Sequence, residues 1–218
     1  YHLILSGSGV KTMPVSPLSV LGDFTISGTA TATAASALTV ERHFTTGSGT
    51  TFDAGSFTHV FKGNFINDGT FTASTSTVTM NGTSGQTLGG SSAPLFHNLT
   101  VNNSSGASLG VNVTVNGTLG LSSGNIVTGA NRVIIGSAGS VSRTSGHVEG
   151  KLQKYVATGS TVNRTFELGT GIDYSPVSVS FASVTTAGNL TGSAIGSDHP
   201  GLATSGLDSL QSANRYWQ

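Results

Sequence analysis

The sequence predicts an all-β fold, a parallel β-helix or β-solenoid followed by a partial β-sandwich-like domain. Three observations predict it: a repeat of about 20 residues, short alternating apolar runs between Gly, Ser and Asn clusters, and very few charges. Charged residues make up 8% of the 218 positions and hydrophobic residues 36%. Because disorder usually needs high charge and low apolarity, we expect this chain to fold.

The repeat is clearest near the beginning of the chain. Phe24, Phe44 and Phe65 lie 20 and 21 positions apart, and each is followed by a turn that contains glycine. Each repeat is expected to form one turn of a coil, with alternate side chains pointing inward onto the next turn. Less regular strand-like runs continue the pattern at Leu99–Asn102, Val113–Asn116 and Val133–Gly136.

The corners of the coil are expected at Asn116-Gly117, Asn81-Gly82 and Asp68-Gly69. These dipeptides favour the positive φ angles that tight corners use. They also suit a type I′ turn in an antiparallel hairpin. For Asp68-Gly69 the sequence leaves both interpretations open.

The pattern changes near Gly146. From there on, strand-like runs at 151–156, 164–168, 176–181, 189–195 and 215–217 are spaced as in a sandwich. We therefore expect a β-solenoid over residues 1–150 and an incomplete β-sandwich-like domain over residues 151–218.

Composition argues against several partners. The nine basic and nine acidic residues give a net charge of zero and form no cluster, so nucleic acid is not an expected partner. No apolar run is long enough for a membrane-spanning helix, and membrane insertion is not expected. The chain has no cysteine, which excludes disulfides, thiolate metal sites and a thiol nucleophile.

Several runs carry a family resemblance: Phe57–Phe71, Thr77–Gly82, Phe96–Asn102, Gly120–Asn131, Gly146–Gly150, Phe166–Gly171 and Tyr174–Val177. They resemble the repeat regions of large secreted surface proteins of Bacteroidota and related phyla, which are typically exported by type IX secretion. The resemblance covers almost the whole chain. It implies an extracellular or cell-surface location and a scaffold role as adhesin, matrix component or stalk.

Catalysis has one candidate pair. Glycoside hydrolysis needs two carboxylates that flank one bond, and Asp23 and Glu41 lie 18 positions apart, so that stacked turns could bring them close. Solvated corner residues explain both side chains better than catalysis does. We expect no catalytic residues and no enzyme activity, and a polysaccharide-degrading β-helix is the third hypothesis.

Metal binding has weak candidates. His43, His59 and His97 could line one face of the coil, but they match no metal-binding motif. Calcium at a corner such as Asp68 is the other alternative, although the Gly-rich calcium-binding repeat is not present. We expect no metal and no cofactor.

The leading functional hypothesis is a structural or adhesive surface protein, such as a rigid stalk, a matrix component or a filament-forming subunit. Its expected partners are further copies of itself, neighbouring domains of a longer chain, or surface glycans. The alternative is a glycan-binding module that uses polar residues such as Asn98 and Asn116. Tyr216 and Trp217 are expected to pack in a core or to stack on a carbohydrate.

Overall fold

The computed structural model describes residues 1–206 and 208–218. The chain is nearly all-β, with 55% of residues in strands and 2% in helices, and it coils into about eight stacked turns. The predicted β-solenoid is therefore confirmed. Among the described residues, no helix is both long and apolar enough to cross a membrane.

The first six turns contribute three short strands each. In chain order they are β1 (Leu3–Leu5), β2 (Ser8–Thr12) and β3 (Leu18–Val20); β4 (Phe24–Ile26), β5 (Thr29–Thr33) and β6 (Leu38–Val40); β7 (Phe44–Thr46), β8 (Thr51–Asp53) and β9 (Thr58–Phe61); β10 (Phe65–Asn67), β11 (Thr70–Thr72) and β12 (Thr77–Met80); β13 (Gln86–Gly89), β14 (Leu95–Phe96) and β15 (Asn98–Asn102); β16 (Ala107–Leu109), β17 (Val113–Val115) and β18 (Thr118–Ser123).

Equivalent strands of successive turns pair in parallel and form three faces. The first face contains β1, β4, β7, β10, β13 and β16, and the third face contains β3, β6, β9, β12, β15 and β18. The second face begins with β2, β5, β8 and β11, and β14 and β17 are the middle strands of the next two turns.

The seventh turn consists of β19 (Ile126–Ile135) and β20 (Ser140–Arg143), and the eighth begins with β21 (Val148–Val156). The long strands β19 and β21 pair with each other on both sides of a register shift between Val127 and Arg132. They therefore supply both the first and the second face, while β20 continues the third face beside β18.

The repeat of about 20 residues equals one turn of the coil. Phe24 aligns with Phe44, and Phe44 with Phe65, on adjacent strands of the first face. All three side chains are completely buried, and their rings stack at centroid distances of 5.6 and 5.2 Å. The apolar face that one turn cannot bury alone is thus covered by its neighbours.

The corners differ from the sequence expectation in their backbone conformation. Asp68-Gly69 joins β10 to β11, and both strands pair in parallel with the preceding turn, so the hairpin alternative is wrong. Gly69, Gly82 and Gly117 do not adopt positive φ. Glycine is needed there because a Cβ would lie 2.5 Å from an oxygen atom of the turn below. Close stacking, rather than φ, selects these residues.

The remaining strands follow β21. They are β22 (Gly159–Phe166), β23 (Leu168–Thr170), β24 (Asp173–Tyr174), β25 (Val177–Val184), β26 (Gly188–Ile195) and β27 (Tyr216–Trp217), with two 3-10 helices at Leu202–Thr204 and Ser209–Gln211. Strand β23 pairs in parallel with β21. Two further pairings are antiparallel, that of β22 with β25 and that of β26 with β21. The predicted division between residues 150 and 151 falls within β21, which pairs with the coil through β19 and with the C-terminal strands through β26.

Candidate functional site

A ladder of side chains lies at the corner that precedes the first face. It consists of His2, Asp23, His43 and Asn64, one from each of the first four turns. Each side chain accepts a hydrogen bond of 2.9–3.0 Å from a backbone N–H of the next turn. These N–H groups would otherwise lack a protein partner at the corner. The ladder therefore stabilises the stacking of turns, and it occupies Nδ1 of His43.

The two candidate carboxylates are held by different cations. Asp23 Oδ1 lies 3.7 Å from Arg42 Nε, and Glu41 Oε1 lies 2.8 Å from Lys62 Nζ. The pKa of Asp23 is lowered mainly because its carboxylate accepts a hydrogen bond from the backbone N–H of His43. A general acid in glycoside hydrolysis needs a raised pKa, so Asp23 does not suit that role, and the ion pairs of both carboxylates suit corner residues.

The three candidate metal-binding histidines lie in different environments. His43 is at the exposed corner, His97 is half-buried between β14 and β15, and His59 is completely buried in β9. Nδ1 of His59 accepts from the N–H of Leu38, and Nε2 donates to the carbonyl of Ala54 at 2.8 Å. Within residues 1–206 and 208–218, no group of three His, Cys, Asp or Glu side chains is arranged to hold a metal ion.

The calcium candidate Asp68 is engaged in a hydrogen-bonded corner. Its Oδ1 accepts from the backbone N–H of Ser91 at 2.8 Å and from the Ser91 hydroxyl at 3.0 Å. Both bonds join one turn to the next. The carboxylate thus has a structural role like that of Asp23.

A buried polar network inside the coil was missed by the sequence analysis. Gln86 is 2% exposed. Its Nε2 donates to the carbonyl of Phe61 at 2.9 Å, and its Oε1 accepts from the N–H of Gly82 and from Nδ2 of Asn103 at 2.9 and 3.0 Å. The only sequence signal for this network is a polar residue at a strand position that points into the coil. The inward direction of that position becomes known only from the strand register.

Rows of short, uncharged and mostly polar residues cover the outside of the third face. One row contains Thr58, Thr77, Asn98, Thr118 and Ser140, and a second contains Ser19, Thr39, Val60, Thr79, Thr100, Gly120 and Ser142. None of these side chains is charged. Asn98 joins its neighbours, since Nδ2 donates to Thr77 Oγ1 at 3.2 Å and Oδ1 accepts from the N–H of Thr118 at 2.8 Å.

The two asparagines proposed for glycan binding therefore occupy different places. Asn98 lies within a row of the third face, whereas Asn116 lies exposed at the corner between β17 and β18. The structure brings Asn98, but not Asn116, into the regular polar surface.

Of the C-terminal aromatic pair, Trp217 borders an apolar cleft of about 220 Å³. Trp217 is 46% exposed and lines the cleft together with Phe166, Val177 and Leu190. Its Nε1 donates to the carbonyl of Ser175 at 2.9 Å. Trp217 is thus anchored at one edge while part of its surface remains accessible, whereas Tyr216 packs against the ring of His199.

A buried histidine lies where the coil meets β23 and β24. His147 is 2% exposed, and Nε2 has no hydrogen-bond partner in the part of the chain that the structure describes. Burial is the main cause that lowers the pKa of His147. The positive charge of Arg143 lowers it further, whereas the negative charges of Glu149 and Asp173 raise it. Burial likewise lowers the pKa of His59 below its ordinary value of 6.5.

Acid is expected to destabilise the fold through these two histidines. Because their pKa values are lower in the folded chain than in the unfolded chain, the unfolded chain binds more protons at acidic pH. The free energy of unfolding should therefore be highest above about pH 6.5 and should decrease as the pH falls below that value. Urea unfolding midpoints measured between pH 8 and pH 5 test this, before the carboxylates titrate.

Replacement of the histidines separates their contributions. His59→Gln and His147→Phe should each show a smaller decrease in midpoint between pH 8 and pH 5 than the parent chain. A decrease equal to that of the parent in both variants would assign the pH dependence to other groups.

Comparison with known proteins adds no relative. No protein-family model matches this chain, and neither a curated protein nor a solved structure matches it. The functional argument therefore depends on the fold and on its surface.

Proposed function

We propose that this chain is a structural or adhesive part of an extracellular cell-surface protein and has no catalytic activity. The coil is the observation that carries this proposal. Its turns are joined by parallel strands, by a continuous apolar core and by corner side chains that bond from one turn to the next. Such a coil holds its outer faces in a fixed arrangement.

The dimensions of the coil suit a spacer. Neighbouring strands lie about 4.8 Å apart, so eight turns extend for about 38 Å along the coil axis. Pulling along this axis loads the hydrogen bonds between the parallel strands of successive turns. The resemblance to secreted Bacteroidota surface proteins supports the cell-surface location and export by type IX secretion, which are part of the proposal.

Self-association belongs to the same proposal. A net charge of zero removes the repulsion that keeps many proteins apart. Rows of uncharged side chains on a flat sheet present no charge that must lose its water on contact. Side-by-side contact between copies is the expected mode of assembly.

Sedimentation and surface attachment test this function. The intact chain should form concentration-dependent assemblies in sedimentation velocity and electron microscopy, or beads coated with it should adhere to cell or matrix surfaces. Thr77→Glu with Thr100→Glu adds two negative charges to the third face and should reduce the effect, whereas Thr31→Glu with Thr51→Glu adds the same charge to the second face and serves as the matched control. A compact monomer whose coated beads do not adhere would contradict the proposal.

Glycan binding is the second candidate, and the uncharged rows of the third face favour it. Hydroxyl and amide groups at regular spacing can bond to the hydroxyls of a polysaccharide. A glycan array should then show binding that Asn98→Ala removes and that the corner variant Asn116→Ala retains. A blank array would count against this candidate without affecting the structural one.

A further inference from the structure

The third face ends one turn earlier than the first and second faces. In the part of the chain that the structure describes, each of the first seven turns places one strand on it, and the last of these strands is β20. In the eighth turn, the chain leaves the second face at the end of β21 and forms β22. That strand pairs with β25 and not with β20.

A groove of about 330 Å³ separates β20 from β22. Ser140 and Val141 line it on the side of the coil, and Asn163 and Thr165 line it on the side of β22. It occupies the position where the earlier turns carry the next strand of the third face. The groove therefore lies directly on a sheet edge.

The backbone of β20 offers hydrogen bonds to this groove. In a parallel strand, the N–H and C=O groups of successive residues point to opposite sides. The N–H of Ser140 donates to the carbonyl of Gly117 in the preceding turn, so Val141 directs its N–H and C=O away from β18. An unpaired strand edge of this kind is a template for another strand.

The side-chain pattern indicates which strand would fit. Leu99, Leu119 and Val141 align on successive strands; the two leucines are completely buried and Val141 packs against the core. A residue added above Val141 would continue this apolar column, while its neighbours along the strand would face solvent, as Ser140 and Ser142 do. The fitting strand alternates aliphatic and polar residues.

The charged side chains at the groove are already paired. Lys154 Nζ lies 2.6 Å from Glu167 Oε2, with side chains that are 11% and 12% exposed. The guanidinium of Arg164 donates to the carbonyls of Tyr155 and Asn163, both at 2.8 Å. The groove consequently favours an uncharged strand over an acidic or a basic one.

We propose that the groove binds an extended, uncharged peptide segment of a partner protein, which adds to β20 as a further strand of the third face. Main-chain hydrogen bonds would provide the affinity, and the aliphatic position above Val141 the selectivity. This inference does not depend on an extracellular role.

A peptide titration tests the proposal. The probe is the pentapeptide Asn-Leu-Thr-Val-Asn, blocked at both ends, which is the sequence of β15, a strand that already pairs within the third face. Added at millimolar concentration to the ¹⁵N-labelled chain, it should shift the amide signals of Val141, Arg143, Asn163 and Thr165 and slow hydrogen exchange at Val141. The same peptide with every amide N-methylated should cause neither change.

Two variants locate the binding. Ser137 is exposed and lines the groove, whereas its exposed neighbour Ala138 does not line it. Ser137→Trp should abolish the shifts, and Ala138→Trp should retain them, with both spectra showing an intact fold. No shift at these amides, equal shifts with the N-methylated peptide, or full binding by Ser137→Trp would overturn the proposal.

Discussion

Replacing Phe44 by alanine is expected to lower the free energy of unfolding by about 3–5 kcal/mol. Phe44 is completely buried, and its ring contacts those of Phe24, Phe52, Phe61 and Phe65 at centroid distances between 4.6 and 5.6 Å. These rings come from three adjacent turns and all three faces. The alanine therefore leaves a cavity at the contact between three adjacent turns. Urea unfolding followed by circular dichroism measures the decrease in the free energy of unfolding.

Phe57→Ala provides the matched control for this change. Phe57 is only partly buried and packs at the margin of the core, so the same chemical deletion should cost clearly less. Phe44→Leu, which retains part of the volume, should lie between the two. Equal losses for Phe44→Ala and Phe57→Ala would contradict a central role for the aromatic stack.

Gln86→Leu is expected to destabilise the coil by about 3 kcal/mol, although it places an apolar residue in the core. The leucine leaves the N–H of Gly82 and one N–H of the Asn103 amide without an acceptor, and each buried polar group without a partner costs about 1–3 kcal/mol. Urea unfolding measures the loss, and amide exchange of Gly82 should become faster.

Thr87→Val is the control for Gln86→Leu. Thr87 is the next residue and alternates to the half-exposed side of the strand, so its replacement should change stability by no more than about 0.5 kcal/mol. If Gln86→Leu were as stable as Thr87→Val, the buried network would contribute little to the stability of the coil.

Much of the coil was predictable because its core repeats along the chain. Phe24, Phe44 and Phe65 occupy the same position of successive turns, and a side chain that stacks on its own equivalent leaves a fixed spacing in the sequence. The strand runs after residue 150 were found for a similar reason, since alternation marks strands wherever they pair. Alternation does not show which strands pair with each other. The sequence therefore did not reveal that β21 pairs with strands on both sides of the predicted boundary.

Side-chain roles were less predictable because they depend on the turn above or below. His59 was considered as a metal ligand, but the N–H of Leu38 and the carbonyl of Ala54 use both of its ring nitrogens. Gly69 was assigned to a positive-φ corner, yet it is required because the backbone of the preceding turn approaches closely. Contacts across about 20 residues of sequence carry no local signature.

By itself, the sequence determined the all-β class, the length of a turn and the apolar column that fills the coil, because each depends on periodicity along the chain. Only the tertiary structure decided which polar residues are buried, which asparagine joins the outer rows and where the third face stops. These features depend on the register between turns and on the departure of β22 from the coil. Register is set by the packing of whole turns, and no single segment encodes it.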